Sequence, residues 1–134
     1  MRALICESYG PIAQLRVLDV ATPEPAAGEV RIRVESAAVN FPDALIVQGL
    51  YQVKPPLPFS PGAELAGVVE AVGEGVRHLK VGQRVISFCG HGAFAEQVVV
   101  NARQVMPMPE GMDMDTGAAL VLTYGTSLHA LQDV

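Results

Sequence analysis

The chain has 134 residues, half of them hydrophobic and 17% charged, which suits one packed domain and excludes a disordered one. Its net charge of −5 argues against a nucleic-acid or anionic-membrane surface, and no apolar run is long enough to span a bilayer. Two cysteines, Cys6 and Cys89, make no disulfide framework, so a cytoplasmic protein with free thiols is expected.

The 13 glycines and 10 prolines punctuate short apolar runs through the first 110 residues, which predicts a mainly β barrel or sandwich of short strands. Ala3–Cys6 reads as a buried first strand rather than a signal peptide, because Glu7 follows at once. After a turn at Tyr9-Gly10-Pro11, an alternation begins at Leu15 and slips near Leu18, where a bulge is expected. Thr22–Gly28 is a loop. Val30–Glu35 alternates cleanly, with Val30, Ile32 and Val34 on one face and Arg31, Arg33 and Glu35 toward water. A short helix is expected over residues 41–49, with Asn40 or Phe41 as cap, Pro42 in the first turn and Gly49 as a left-handed stop. Tyr51–Phe59 is a proline-rich extended loop.

Ser60-Pro61-Gly62 carries the signature of a type II turn. The run Leu65–Val72 that follows is a strand of small apolar residues, and Gly67 within it signals a bulge or a close backbone approach. Glu64 stands at its mouth and reads, on residue type, as a solvated carboxylate on a hairpin edge. Strands follow at Arg84–Phe88, Phe94–Val100 and near Val105, with a loop at Cys89–Gly92. From Asp113, a capping residue, the period becomes helical: one helix over Met114–Leu122, an interruption at Tyr124-Gly125, and a restart over Thr126–Leu131.

Several motifs occur in order: Asn40-x-x-Asp43, Gly49-x-Tyr51, Leu57-Pro58-Phe59-x-Pro61-Gly62-x-Glu64-x-Ala66-Gly67, Val72-Gly73-x-Gly75-Val76 and Gly82-x-Arg84-Val85. Together they resemble the GroES-like substrate domain of the medium-chain dehydrogenases/reductases, on the zinc-independent quinone oxidoreductase (zeta-crystallin-like) branch. The resemblance implies a partly open β-barrel with the short helix near 41–49 and C-terminal helices from about 113. It implies a substrate domain over 1–122 and, over 123–134, the start of a helix connecting to a nucleotide-binding domain.

For a catalytic zinc, the wider superfamily needs a cysteine where Asn40 stands and a histidine where Ala63 stands; neither residue supplies a good ligand. Cys89-x-His91 alone is more often a loop than a metal site, so no metal is expected. Asn40 is either a helix cap or, as the resemblance implies, an amide contacting the nicotinamide or the substrate carbonyl, which an amide can do because it both donates and accepts. Asp43 goes with it at the cofactor end of the cleft. Tyr51 either packs on prolines or points its phenol at a quinone or enone oxygen, orienting first and donating a proton second. Lys54 could face a cofactor phosphate or water. Thr126 is either a cap for the restarted helix or, as the resemblance implies, a hydroxyl at the seam between the domains for the nicotinamide ribose or carboxamide.

The catalytic expectation is therefore Tyr51 and Asn40; the cofactor-binding one is Asn40, Asp43 and Thr126, and the resemblance implies NADP as cofactor. The implied reaction is metal-free hydride transfer from NADPH to a quinone or conjugated carbonyl. No glycine-rich turn followed by a helix is present, since Gly73-Glu74-Gly75 leads into Val76-Arg77-His78, so the chain alone is expected to lack turnover. Neither nucleic acid nor membrane is an expected partner. Full-length relatives are expected to be homo-oligomers, and this chain either to fray after about Tyr124 or to self-associate through Thr126–Val134. The rival readings are a non-enzymatic GroES-like interaction module and a domain complemented in trans by a nucleotide-binding partner.

Overall fold

The computed structural model describes residues 1–132, so Asp133 and Val134 at the end of the expected 123–134 segment lie outside the described residues. The described residues form seven strands, in two sheets, and two α-helices: β1 (Arg2–Ile5), β2 (Arg16–Asp19), β3 (Glu29–Ala38), α1 (Phe41–Val47), β4 (Glu64–Val72), β5 (Arg84–Phe88), β6 (Gln97–Asn101), β7 (Val105–Pro107) and α2 (Met114–Gln132). The first sheet is the antiparallel pair β1–β2, and the second is a five-stranded antiparallel sheet in the order β6-β3-β4-β5-β7. The expected partly open barrel is realised as these two sheets, which do not close. β1 is stitched to the chain before β6 by Leu4 N–H to the Phe94 carbonyl and Glu96 N–H to the Arg2 carbonyl.

The alternation in β3 does what its pattern requires. Val30 and Ile32 are fully buried and meet Leu65, Val69, Val85, Val98 and Val100 in the main core, while Arg33 and Glu35 are exposed. Arg31 is the exception: it lies between Glu70 and Glu24 and donates to the Pro23 carbonyl, which straps the 21–28 loop to the sheet. No bulge occurs near Leu18, because β2 pairs with β1 in unbroken register and turns Val17 outward instead. The register shifts fall between β3 and β4, at Arg31/Ile32 and Val34/Ser36.

Gly67 faces the second of these shifts. A Cβ there would stand 2.1 Å from the Arg33 carbonyl oxygen, so the close backbone approach read from the sequence is present and admits only glycine. Gly62 has the positive φ expected, +100°. The segment does not close on itself as a turn, however: the Ser60, Pro61 and Gly62 carbonyls accept from the N–H groups of Gly92, Phe94 and Ala93.

The C-terminal expectation of two helices is corrected. α2 is one continuous helix through Tyr124 and Gly125, started by the Asp113 carboxylate on the Thr116 N–H. A lone glycine weakens a helix by roughly 1 kcal/mol and does not by itself break one. α2 crosses the boundary expected at 122–123 without interruption, yet burial changes there. Gly117 and Ala118 are buried against the sheet, whereas every residue from Thr123 to Gln132 is exposed. No described helix is long and apolar enough to cross a membrane.

Candidate active site

β3 delivers Asn40. The strand ends at Ala38, whose register partner is Glu64, and Asn40 then takes the extended conformation of a helix cap (φ −123°, ψ 159°). Asp43 is the third residue of α1, and its carboxylate accepts the Asn40 backbone N–H at 2.8 Å. The Asn40 side-chain Nδ2 donates to Glu64 Oε1 at 3.0 Å, and Glu64 Oε2 accepts the Leu122 backbone N–H, also at 3.0 Å.

Glu64 is thus not a solvated edge residue: its exposure is 0%. Burial of a carboxylate is tolerated when fixed donors satisfy it, and here an amide from the β3–α1 junction and a backbone N–H from α2 each take one oxygen. The small apolar run after Glu64 carried a signal for this burial, because both faces of β4 are covered at Leu65, Ala66 and Gly67. The part played by the Leu122 N–H had no signal, since a backbone group has no residue type.

Gly49 (φ +72°) stops α1, and the chain turns into Tyr51. The Tyr9 hydroxyl donates to the Pro55 carbonyl and so pins the proline-rich loop. Tyr51 leans on the smaller core formed by Cys6, Ile46, Val47 and Phe59. Its hydroxyl makes no hydrogen bond to a described residue. Asn40 and Tyr51 line one cleft of about 250 Å³, whose other walls include Ile46, Val53, Phe88 and Leu122. An apolar cavity of about 150 Å³ holds a benzene ring, so this cleft takes one small ring with an amide and a phenol at its wall.

The other expected residues lie elsewhere. Asp43 is 4% exposed and does not line the cleft; its carboxylate serves the helix start. Burial pushes its carboxyl pKa up, the Asn40 N–H opposes that shift, and the neighbouring charge of Glu64 adds to it. Thr126 is exposed on the outer half of α2, outside the cleft, and caps nothing because the helix runs through it. Lys54 is exposed. Cys89 and His91 diverge. The Cys89 thiol lies 3.4 Å from the Ala63 carbonyl oxygen, and burial pushes its pKa up to about 12, with the charge of Asp43 contributing. His91 packs edge-on against Phe59, ring centroids 5.8 Å apart, where burial lowers its pKa. Among the described residues, no three His, Cys, Asp or Glu are grouped so as to hold a metal ion.

Comparison with known proteins is consistent with this architecture. Residues 26–110 match the family model described as the alcohol dehydrogenase GroES-like domain. The chain is 39% identical to the rat protein named synaptic vesicle membrane protein VAT-1 homolog, over 99% of the chain and 33% of that protein. It is 38% identical to a rat quinone oxidoreductase, over 98% of the chain and 40% of that protein. The crystal structure of Escherichia coli quinone oxidoreductase complexed with NADPH superposes with a TM-score of 0.92 at 29% identity, covering 98% of this chain and 40% of that one. The chain spans about a third of the length of the first curated relatives it matches.

Proposed function

The chain belongs to the alcohol dehydrogenase GroES-like domain family of the medium-chain dehydrogenases/reductases, and on that ground we propose that it is the substrate-domain portion of an NADPH-dependent quinone oxidoreductase. Residues 1–122 form the substrate domain and 123–134 begin the connection to a nucleotide-binding partner domain. The observation that carries this reading is the meeting of Asn40 and Tyr51, from separate segments, in one apolar cleft of ring size.

The cleft fits the nicotinamide end of the cofactor: the Asn40 amide can read a carboxamide, and apolar walls suit the ring. It offers nothing for a pyrophosphate, because Gly73-Glu74-Gly75 leads to the next strand, β5, with no described helix starting after it. When bound, NADPH supplies a hydride. In this reading the chain's own residues do the rest. Ile46, Val53, Phe88 and Leu122 exclude water from the acceptor ring, and Asn40 holds the reacting groups in register. Tyr51 donates a hydrogen bond to the quinone or enone oxygen as charge develops there. Asp43 acts through the cap it makes on Asn40. Thr126 would contribute to the nicotinamide ribose or carboxamide only with a nucleotide domain placed over α2.

Independence from zinc rests on donor chemistry. The Asn40 amide does not deprotonate and is already committed to Glu64, Ala63 has no donor atom, and burial disfavours the thiolate of Cys89. A cytoplasmic location belongs to the same reading, with free thiols at Cys6 and Cys89. The test is a chimera in which this chain replaces the corresponding 40% of E. coli quinone oxidoreductase. NADPH oxidation on addition of quinones is the expected result. A folded chimera that binds NADPH and reduces no quinone would favour an interaction module.

A further inference from the structure

Glu64 heads the strand around which the sheet is built, and the proposed chemistry leaves it without a task. It is fully buried, it has neither the basic partner among the described residues nor the solvent that its residue type favours, and both its oxygens are taken. One accepts from the Asn40 side chain. The other accepts from Leu122, which sits mid-helix, where a backbone N–H belongs to the carbonyl four residues back. A side chain that reaches into a helix ladder in this way fixes the local line of the helix. Leu122 is also the last residue of α2 that is not exposed, and it forms part of the cleft wall.

We propose that Glu64 is a positioning residue: one carboxylate oxygen sets the orientation of the Asn40 amide, the other sets the path of α2 at Leu122, so the two walls of the cleft are held by one side chain. The consequence for catalysis rests on the function proposed above; the tie itself does not. A carboxylate only accepts, so Asn40 must present its NH2 end to Glu64, and its amide cannot take the reversed orientation. Glu64→Gln has nearly the same shape and reverses this rule. Its single oxygen is claimed by the Leu122 N–H, which leaves an NH2 facing the NH2 of Asn40 and forces the Asn40 amide to turn over.

The experiment is NMR on the 15N-labelled 134-residue chain, following side-chain NH2 exchange with water, with the exposed Asn101 as internal reference. In the wild type, the Asn40 NH2 is expected to exchange at least about tenfold more slowly than that of Asn101, and in Glu64→Gln to move into the Asn101 range. Equal exchange of the two in the wild type would overturn the proposal, as would an unchanged Asn40 signal in folded Glu64→Gln. Should that variant not fold, Glu64→Asp, which withdraws the carboxylate by one methylene, is expected to release the Asn40 NH2; retained protection there would refute the tie. If the amide is released while quinone reduction by the chimera carrying Glu64→Gln is unaffected, the tie stands and the role given to Asn40 in catalysis falls.

Discussion

Gly67→Ala gives the sharpest test of how this sheet is put together. The added Cβ would stand 2.1 Å from the Arg33 carbonyl oxygen and 2.9 Å from the Ile32 side chain, where real Cβ contacts stay beyond 3.0 Å. The obstacle is backbone in a paired strand, so it cannot rotate away; β3 must retreat by about 1 Å across a core packed to crystal density. Overpacking costs roughly 1–3 kcal/mol, and an immovable backbone neighbour places this case at about 3 kcal/mol. For a domain of this size each kcal/mol is worth roughly 3–5 °C, so the midpoint of thermal unfolding should fall by about 9–15 °C. Gly75→Ala is the control. Its φ is +83° but nothing lies within 4 Å, so only the left-handed penalty of about 1–2 kcal/mol applies. Far-UV circular dichroism melts of the three proteins provide the assay. A Gly67→Ala midpoint within about 2 °C of wild type, or no lower than that of Gly75→Ala, would refute the close approach of β3 and β4.

Four further expectations concern the site and the helix. Tyr51→Phe in the chimera should lower kcat/KM by roughly 5- to 30-fold if the phenol orients the quinone, and by on the order of 100-fold or more if it is an obligate proton donor; an unchanged rate would leave it as loop packing. Titration of the 134-residue chain with NADPH should show no saturable binding below about millimolar, a range worth only roughly 4 kcal/mol, and micromolar binding would mean that it holds a pyrophosphate site. Elemental analysis of protein equilibrated with zinc and then desalted should find far less than one zinc per chain; a stoichiometric content would redirect attention to Cys89, His91 and Glu64. The outer half of α2, with Tyr124 69%, Leu128 55% and Leu131 83% exposed, should drive association, seen as a sedimentation mass that rises with concentration and is lost in Leu128→Glu/Leu131→Glu. A monomer with fast amide exchange beyond Tyr124 would show fraying instead.

What the sequence revealed and what it hid divide along a physical line. Val30, Ile32 and Val34 announced β3 by alternation, Asn40 and Gly49 bracketed α1, and Asp113 marked the start of α2, because each is a local preference acting on its own segment. Gly67 signalled the close approach at the Val34/Ser36 shift, whereas the shift at Arg31/Ile32 was silent, since it arises from fitting two strands together. Tyr124-Gly125 suggested a break that the helix does not make. Asn40 and Tyr51 were nameable as candidates, and the structure brings both to the wall of one cleft. That Asp43 turns away into the cap and Thr126 stands outside the cleft depended on tertiary placement. Glu64 was misread for the same reason: its donors come from 24 and 58 residues away.

The segment Cys89-Gly90-His91-Gly92 reads as a flexible loop, yet its backbone is sewn down. Cys89 and Gly90 donate to the Ala63 carbonyl, and Gly92, Ala93 and Phe94 donate to Ser60, Gly62 and Pro61. Anyone choosing where to open this protein, for a circular permutant, an inserted tag or a protease site, would reach first for those glycines and would cut the seam that joins this segment to residues 60–63. Here glycine marks backbone shape rather than slack: positive φ at Gly90 (+84°) and Gly92 (+108°), which L side chains rarely adopt, lets the chain present these N–H groups to the neighbouring segment.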